Sequence, residues 1–285
     1  MALRLSGLRD RQPCRPGKRS APGIFYRLHI AHNPAKISVF PLDFVMPSTL
    51  TLFAAGSLRR AFIPLIERFT AQTAIPVNLN FGPAGLLRER IEAGEACDVF
   101  ASANAQHPET LIAQGLARES QIFARNTLIL TARRHLEGDA LTLLRNPDLR
   151  LATSTPGCDP SGDYTWQLFD NLNSLEPGLG EQLKSHAVQL VGGRDSLSIP
   201  SGEIASKWLL QQDLTDLFIG YAHYAAALMH DDSLRVVELP QAQNIRCDYH
   251  VARLAESENA QKLYAFILAD VGQRCLRDAG FLAVN

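Results

Sequence analysis

Three segments in the first half of the chain share one form: a short apolar run, a Gly/Ser/Pro turn and an amphipathic stretch. They are LTLFAAGSL at 50–58, FGPAGLL at 81–87 and DVFASAN at 98–104. Each reads as a buried strand ending in a tight turn with a helix behind it. Backbone N–H groups at the helix starts, and the hydroxyl of Ser57, then point beyond the strand ends. A helix N-terminus carries about half a positive charge and unpaired N–H donors, so it suits an anion. Open α/β sheets place ligands in the crevice beyond the carboxyl ends of their strands. One such segment alone reads more readily as a plain turn, with Ser57 as an N-cap. Three together constrain the chain to an α/β fold with a ligand crevice.

Composition narrows the partners. The 285 residues are 46% hydrophobic and 20% charged, which supports a sizeable core in one large domain or two ordinary ones. The net charge of −1 carries no global signature of a nucleic-acid or acidic-membrane partner. No apolar run reaches the ~18–20 residues of a membrane helix. The five cysteines (Cys14, Cys97, Cys158, Cys247, Cys275) are scattered without a CxxC pair, so neither a thiolate zinc site nor a disulfide framework is expected. HExxH, G-x-S-x-G, P-loop and G-x-G-x-x-G motifs are missing, which disfavours the common hydrolase and nucleotide-binding chemistries.

Residues 1–45 carry eight Lys/Arg against two Asp/Glu, and RDRQPCRPGKRSAPG at 9–23 has no helical or strand period. Residues 1–46 are therefore expected to lie outside the fold, as a disordered arm or as the product of a start codon placed too early. They do not read as a secretory signal, because no apolar core segment follows the basic part. From residue 50 the expected order is strand 50–54, helix 59–72, strand 77–81, helix 86–93, strand 99–101, helix 108–114 and strand 127–131. Strands at 149–152, 188–191, 217–220, 234–239 and 245–252, and helices at 164–172, 203–211, 258–268 and 271–279, repeat the scheme. Alternation of this kind predicts parallel sheets with helices on both faces. Two α/β lobes facing each other would bring the turns together across a cleft.

LTLFAAGSLRRAF, FGPAGLLRERIEAGEACDVFASAN, FARN at 123–126, DPSGDY at 159–164 and LFIGYAHYA at 217–225, taken in this order, resemble the molybdate-type periplasmic substrate-binding proteins of ABC transporters. The resemblance runs from about Leu50 to Gly280-Phe281. It implies a two-lobed (type II) binding-protein fold, each lobe a mixed, mostly parallel sheet flanked by helices, with two chain crossovers. It also implies no catalytic residue and no cofactor, a small oxyanion (molybdate or tungstate) as ligand, permease and ATPase partner subunits, a monomer and a periplasmic location. The lobes are expected at 47–131 plus 225–285 and at 132–224.

Residue by residue, the resemblance makes Ser57 the first serine ligand and Ala84 a donor through its backbone N–H alone, since the family's serine is replaced there. Ser161 and Glu203 fall on backbone donors at helix starts, and Tyr221 on the tyrosine whose hydroxyl closes the site. An archaeal branch places carboxylates where Asp159 and Glu203 stand and uses them to complete a six-coordinate Mo or W centre. The alternative reading of these two acids is ordinary: a turn residue before Pro160, and a first-turn acid favoured by the helix dipole. Arg194 reads first as a surface ion pair with Asp195 or another acid. Tyr221, His223, Tyr224, Asp159 and Glu203 form an alternative hard-cation set such as a ferric site. A sulfate-type receptor and a cytosolic oxyanion sensor on the same fold also remain open, the last because no signal peptide is evident.

Overall fold

Apolar runs bounded by turn residues build two sheets from one chain. The computed structural model describes residues 48–284, so the segment 1–46 lies outside the described residues. The chain first forms β1 (Leu50–Ala55), α1 (Arg59–Thr73), β2 (Val77–Gly82), α2 (Ala84–Glu92), β3 (Val99–Ser102), α3 (Gln106–Ala113) and β4 (Glu119–Asn126). It then crosses to β5 (Leu128–Arg133), α4 (Ala140–Leu144), β6 (Leu151–Ser154), α5 (Pro160–Leu172), α6 (Leu179–His186), β7 (Val188–Val191), α7 (Ala205–Gln211), β8 (Leu217–Tyr221), α8 (Ala225–Met229) and β9 (Leu234–Glu238). It returns to the first lobe through β10 (Cys247–Arg253), α9 (Glu258–Leu268) and α10 (Asp270–Asp278).

The strand orders are β2-β1-β3-β10-β4 and β7-β6-β8-β5-β9. In each sheet one strand runs against the rest, and it is the one entering from the other lobe: β10 pairs antiparallel with β3 and β4, and β5 with β8 and β9. The fold is therefore two-lobed α/β with mixed, mostly parallel sheets and two crossovers.

The first core forms where helices cover the first sheet. The helical spacing of Phe62, Leu65, Ile66 and Phe69 puts them on one face of α1, and all are buried in one core cluster with Leu52 and Phe53 of β1. Each such burial contributes about 1.5–3 kcal/mol. Phe123, Tyr249 and Phe281 continue this core toward the second lobe, with ring centroids 5.2 Å apart for Tyr249 and Phe281.

The expected lobe boundaries need correction. β5 and β9 both belong to the second sheet, so the crossovers fall at Thr127 and between Glu238 and Cys247. β4, with its interspersed polar residues, does not read as a strand, which makes the apolar run 127–131 the expected last strand of the first lobe. In fact a single residue, Thr127, separates strands of different sheets. Asn126 fixes that junction: its side-chain oxygen accepts the N–H of Thr127 at 2.9 Å and of His223 at 3.2 Å. Asn244 does the same at the other crossover, bonding both the N–H and the carbonyl of Leu128.

Candidate functional site

The carboxyl ends of β1, β6 and β8 open on a cleft of about 490 Å³ between the two sheets. Its walls take Gly56, Ser57, Arg59 and Phe81 from the first lobe, and Thr131, Ser154, Asp159, Ser161 and Tyr221 from the second. The segment 192–206, rich in Gly and Ser, forms much of the remaining wall. This is the position that the strand–turn–helix pattern predicts.

Ser57 caps no helix. It sits in a single 3₁₀ turn without a side-chain cap bond, and its Oγ lies 3.1 Å from the hydroxyl of Tyr249. Tyr249 is fully buried and packs its ring 5.6 Å from that of Tyr221. The Tyr221 hydroxyl is itself buried and makes no hydrogen bond of good geometry; the Tyr249 hydroxyl beside it is already paired with Ser57. Burial, then the neighbouring Tyr249 and Asp159, push the Tyr221 phenol well above its ordinary range, so it stays a neutral donor. An unmet buried hydroxyl on a cleft wall is a donor available to a ligand.

Asp159 faces the same cleft and also does the work of a turn acid. It is the N-cap of α5, with Pro160 at the first helical position, and its Oδ1 accepts the Ser161 N–H at 3.1 Å. Burial pushes its carboxyl up to about 6, against the lowering effect of the bonds from Ser161 and Ser154. Gly192, at φ +79°, leaves room for it: a Cβ there would lie 2.7 Å from Asp159 Oδ2. The N–H of Ser161, expected to face an anion, is thus held by the protein's own carboxylate.

Ala84 departs from expectation. It is fully buried and does not reach the cleft wall. The next N–H, of Gly85, donates to Cys158 O of the second lobe at 2.9 Å. The lobes touch so closely that a Cβ on Gly85 would stand 2.6 Å from that carbonyl. The start of α2 therefore serves as a lobe–lobe contact. Glu203 does line the cleft, but α7 begins two residues later, and the Glu203 N–H is bonded to Pro200 O at 3.1 Å. Its exposed side chain has no ion pair among the described residues. The helix-start reading of Glu203 as a free backbone donor therefore does not hold in this structure, and Ala84 lies behind the cleft wall rather than on it. Ser57, Tyr221, Asp159, Ser161 and Glu203 are brought together on one cleft.

Arg194 pairs with an acid, as expected, but with Glu89 of the other lobe, which makes the pair a bridge across the cleft mouth. His223 does not join a cation set. Its Nδ1 takes a bond from Asn126 at 2.7 Å, its ring stacks 4.4 Å from Phe281, and burial lowers its pKa to about 3. Among the described residues no three His, Cys, Asp or Glu side chains converge as a metal site.

Sequence reasoning missed Tyr249, Arg59 and Ser154. The alternation of buried Cys247, Tyr249 and Val251 along β10 was the available signal for Tyr249. Arg59 gave none, because an arginine after a turn reads as a solvated helix residue.

A family model described as "Bacterial extracellular solute-binding protein" matches residues 50–282. The protein PM1146 of Pasteurella multocida is 40% identical over 240 residues, covering 83% of this chain and 99% of its own length. The molybdate-binding protein ModA of Mycobacterium bovis is 25% identical over 243 residues, covering 82% of this chain and 84% of its own. The periplasmic molybdate-binding protein of Azotobacter vinelandii superposes with a TM-score of 0.68 at 19% identity, over 83% of this chain and all of that one. Two sheets, two crossovers, an interlobe cleft and a family match over nearly the whole described chain agree: this protein belongs to the bacterial extracellular solute-binding proteins.

Proposed function

We propose that the protein captures molybdate or tungstate in the interlobe cleft and delivers it to the permease and ATPase subunits of an ABC transporter, working in the periplasm as a binding protein rather than an enzyme. The observation that carries this reading is the buried, unpartnered hydroxyl of Tyr221, placed with Ser57 and Tyr249 where strands of both lobes end. A neutral hydroxyl in a desolvated site donates to an oxyanion without needing to be charged itself. Asp159 and Glu203 give the reading its finer detail. Carboxylates repel a bare dianion, but they become ligands if the bound Mo or W expands from four to six oxygens. Sulfate lacks that option. The molybdate-binding ModA relative supports the same ligand class.

The test is a thermal-shift and calorimetric titration with molybdate, tungstate, sulfate, phosphate and ferric citrate. Molybdate or tungstate at a hundredfold over its dissociation constant should stabilise the protein by about 2.7 kcal/mol. Stabilisation by sulfate or ferric iron, with none by molybdate or tungstate, would replace the ligand and leave the receptor.

A further inference from the structure

The charge on α1 stands at the wrong end. Its first two residues are Arg59 and Arg60, and no acid occupies its first turn. The N-terminus of a helix is the positive end of its dipole, so cations there are unfavourable. Arg60 is exposed and off the cleft wall. Arg59 is half-buried and on it. Its guanidinium carbon lies 4.3 Å from the centroid of the Phe81 ring, and it has no ion pair among the described residues. Stacking engages one face of the guanidinium and leaves its N–H edge free.

The other charges on the wall sharpen the point. Asp159 and Glu203 are acids, and the remaining guanidinium, Arg194, is matched by Glu89. Without Arg59 the cleft would offer a dianion two carboxylates and no cation. The unpartnered Tyr221 hydroxyl, on the same cleft, independently marks a missing acceptor.

We infer that Arg59 is an anion-binding residue of the cleft, held by Phe81 so that its N–H edge meets two oxygens of the ligand and offsets Asp159 and Glu203. The inference rests on the anion-receptor reading and adds a preference for dianions with two adjacent acceptor oxygens.

Calorimetric titrations of the parent, Arg59→Gln, Arg59→Lys and Phe81→Leu test it, using molybdate, tungstate, sulfate, phosphate and citrate. Arg59→Gln should weaken the bound anion about ten- to a hundredfold. Arg59→Lys, which keeps the charge but loses the fork, should fall between. Phe81→Leu should weaken binding less than Arg59→Gln, and it serves as the second probe if either Arg59 variant fails to fold. The ligand-free melting temperature of Arg59→Gln should equal or exceed that of the parent, a result that a structural arginine would not give. Parent-like binding by Arg59→Gln overturns the inference and leaves the proposed ligand standing. Binding of citrate alone, lost in Arg59→Gln, keeps Arg59 and discards molybdate and tungstate. A parent that binds none of these anions overturns both.

Discussion

Replacing Tyr221 by Phe should move stability and affinity in opposite directions. The Tyr221 side chain is 6% exposed, and its hydroxyl has no partner in the ligand-free fold. Leaving a buried polar group unmet costs about 1–3 kcal/mol. Phe keeps the ring, and with it the packing on Tyr249 at 5.6 Å and on His223 at 6.0 Å, while removing the unmet group. The ligand-free variant should therefore gain about 1 kcal/mol, or about 2–4 °C in melting temperature for a fold of this size. In the complex the same hydroxyl donates to a charged oxygen, a bond worth about 1.5–3 kcal/mol, so affinity for molybdate should fall about ten- to a hundredfold. Differential scanning calorimetry without ligand and titration calorimetry with molybdate, in one buffer, read both effects. A melting temperature lowered by several degrees would mean that the hydroxyl is already satisfied. Unchanged affinity would mean that it does not face the ligand.

Other perturbations follow from the same contacts. Ser57→Ala should destabilise the ligand-free protein by about 1–2 kcal/mol in urea unfolding, because it strips the buried Tyr249 hydroxyl of its partner at 3.1 Å; an unchanged midpoint would show that pair to be idle. Gly85→Ala places a Cβ 2.6 Å from Cys158 O, so it should hold the lobes apart, raise the radius of gyration in solution scattering and weaken binding. Asp159, raised to about 6, binds its proton more tightly in the native state than in the unfolded one. The stability it contributes is full below about pH 4 and lost as pH rises through 6. Asp159→Asn, which keeps the cap, should therefore gain on the parent between pH 4 and 7, by up to about 3 kcal/mol. His223, lowered to about 3, and His107, lowered to about 4, act with the opposite sign, losing stability as pH falls below their ordinary range, so the difference between variant and parent is the readout. Asp159→Asn with Glu203→Gln should narrow the preference for molybdate over sulfate, and X-ray absorption of the parent's tungstate complex should give six oxygens rather than four.

What was legible in the sequence was whatever depends on local period. The α1 face, the apolar β1 and the turn at Asp159-Pro160 all fold as their residue patterns dictate. The junction at Thr127 was not legible, because which sheet a strand joins is decided by pairing with β8 and β9, far along the chain. The lobe–lobe contact beside Ala84 was hidden for a related reason. A helix-start N–H looks the same in sequence whether it meets an anion or a carbonyl from the opposite lobe, and here Cys158 fills that role for the neighbouring Gly85. Glu203 was placed on the right wall but at the wrong local feature, since Ile199-Pro200-Ser201-Gly202 delays α7 until Ala205. Tyr249 shows that the residue behind the wall pair Ser57 and Tyr221 can be supplied by the strand that returns from the second crossover, which no motif marks.

The most direct measurement is a crystal structure of the tungstate-soaked protein, with data collected at the tungsten absorption edge. The account predicts one strong anomalous peak in the cleft, within bonding reach of the Ser57 and Tyr221 hydroxyls and beside Arg59. A peak elsewhere, or an empty cleft at saturating tungstate, would contradict it.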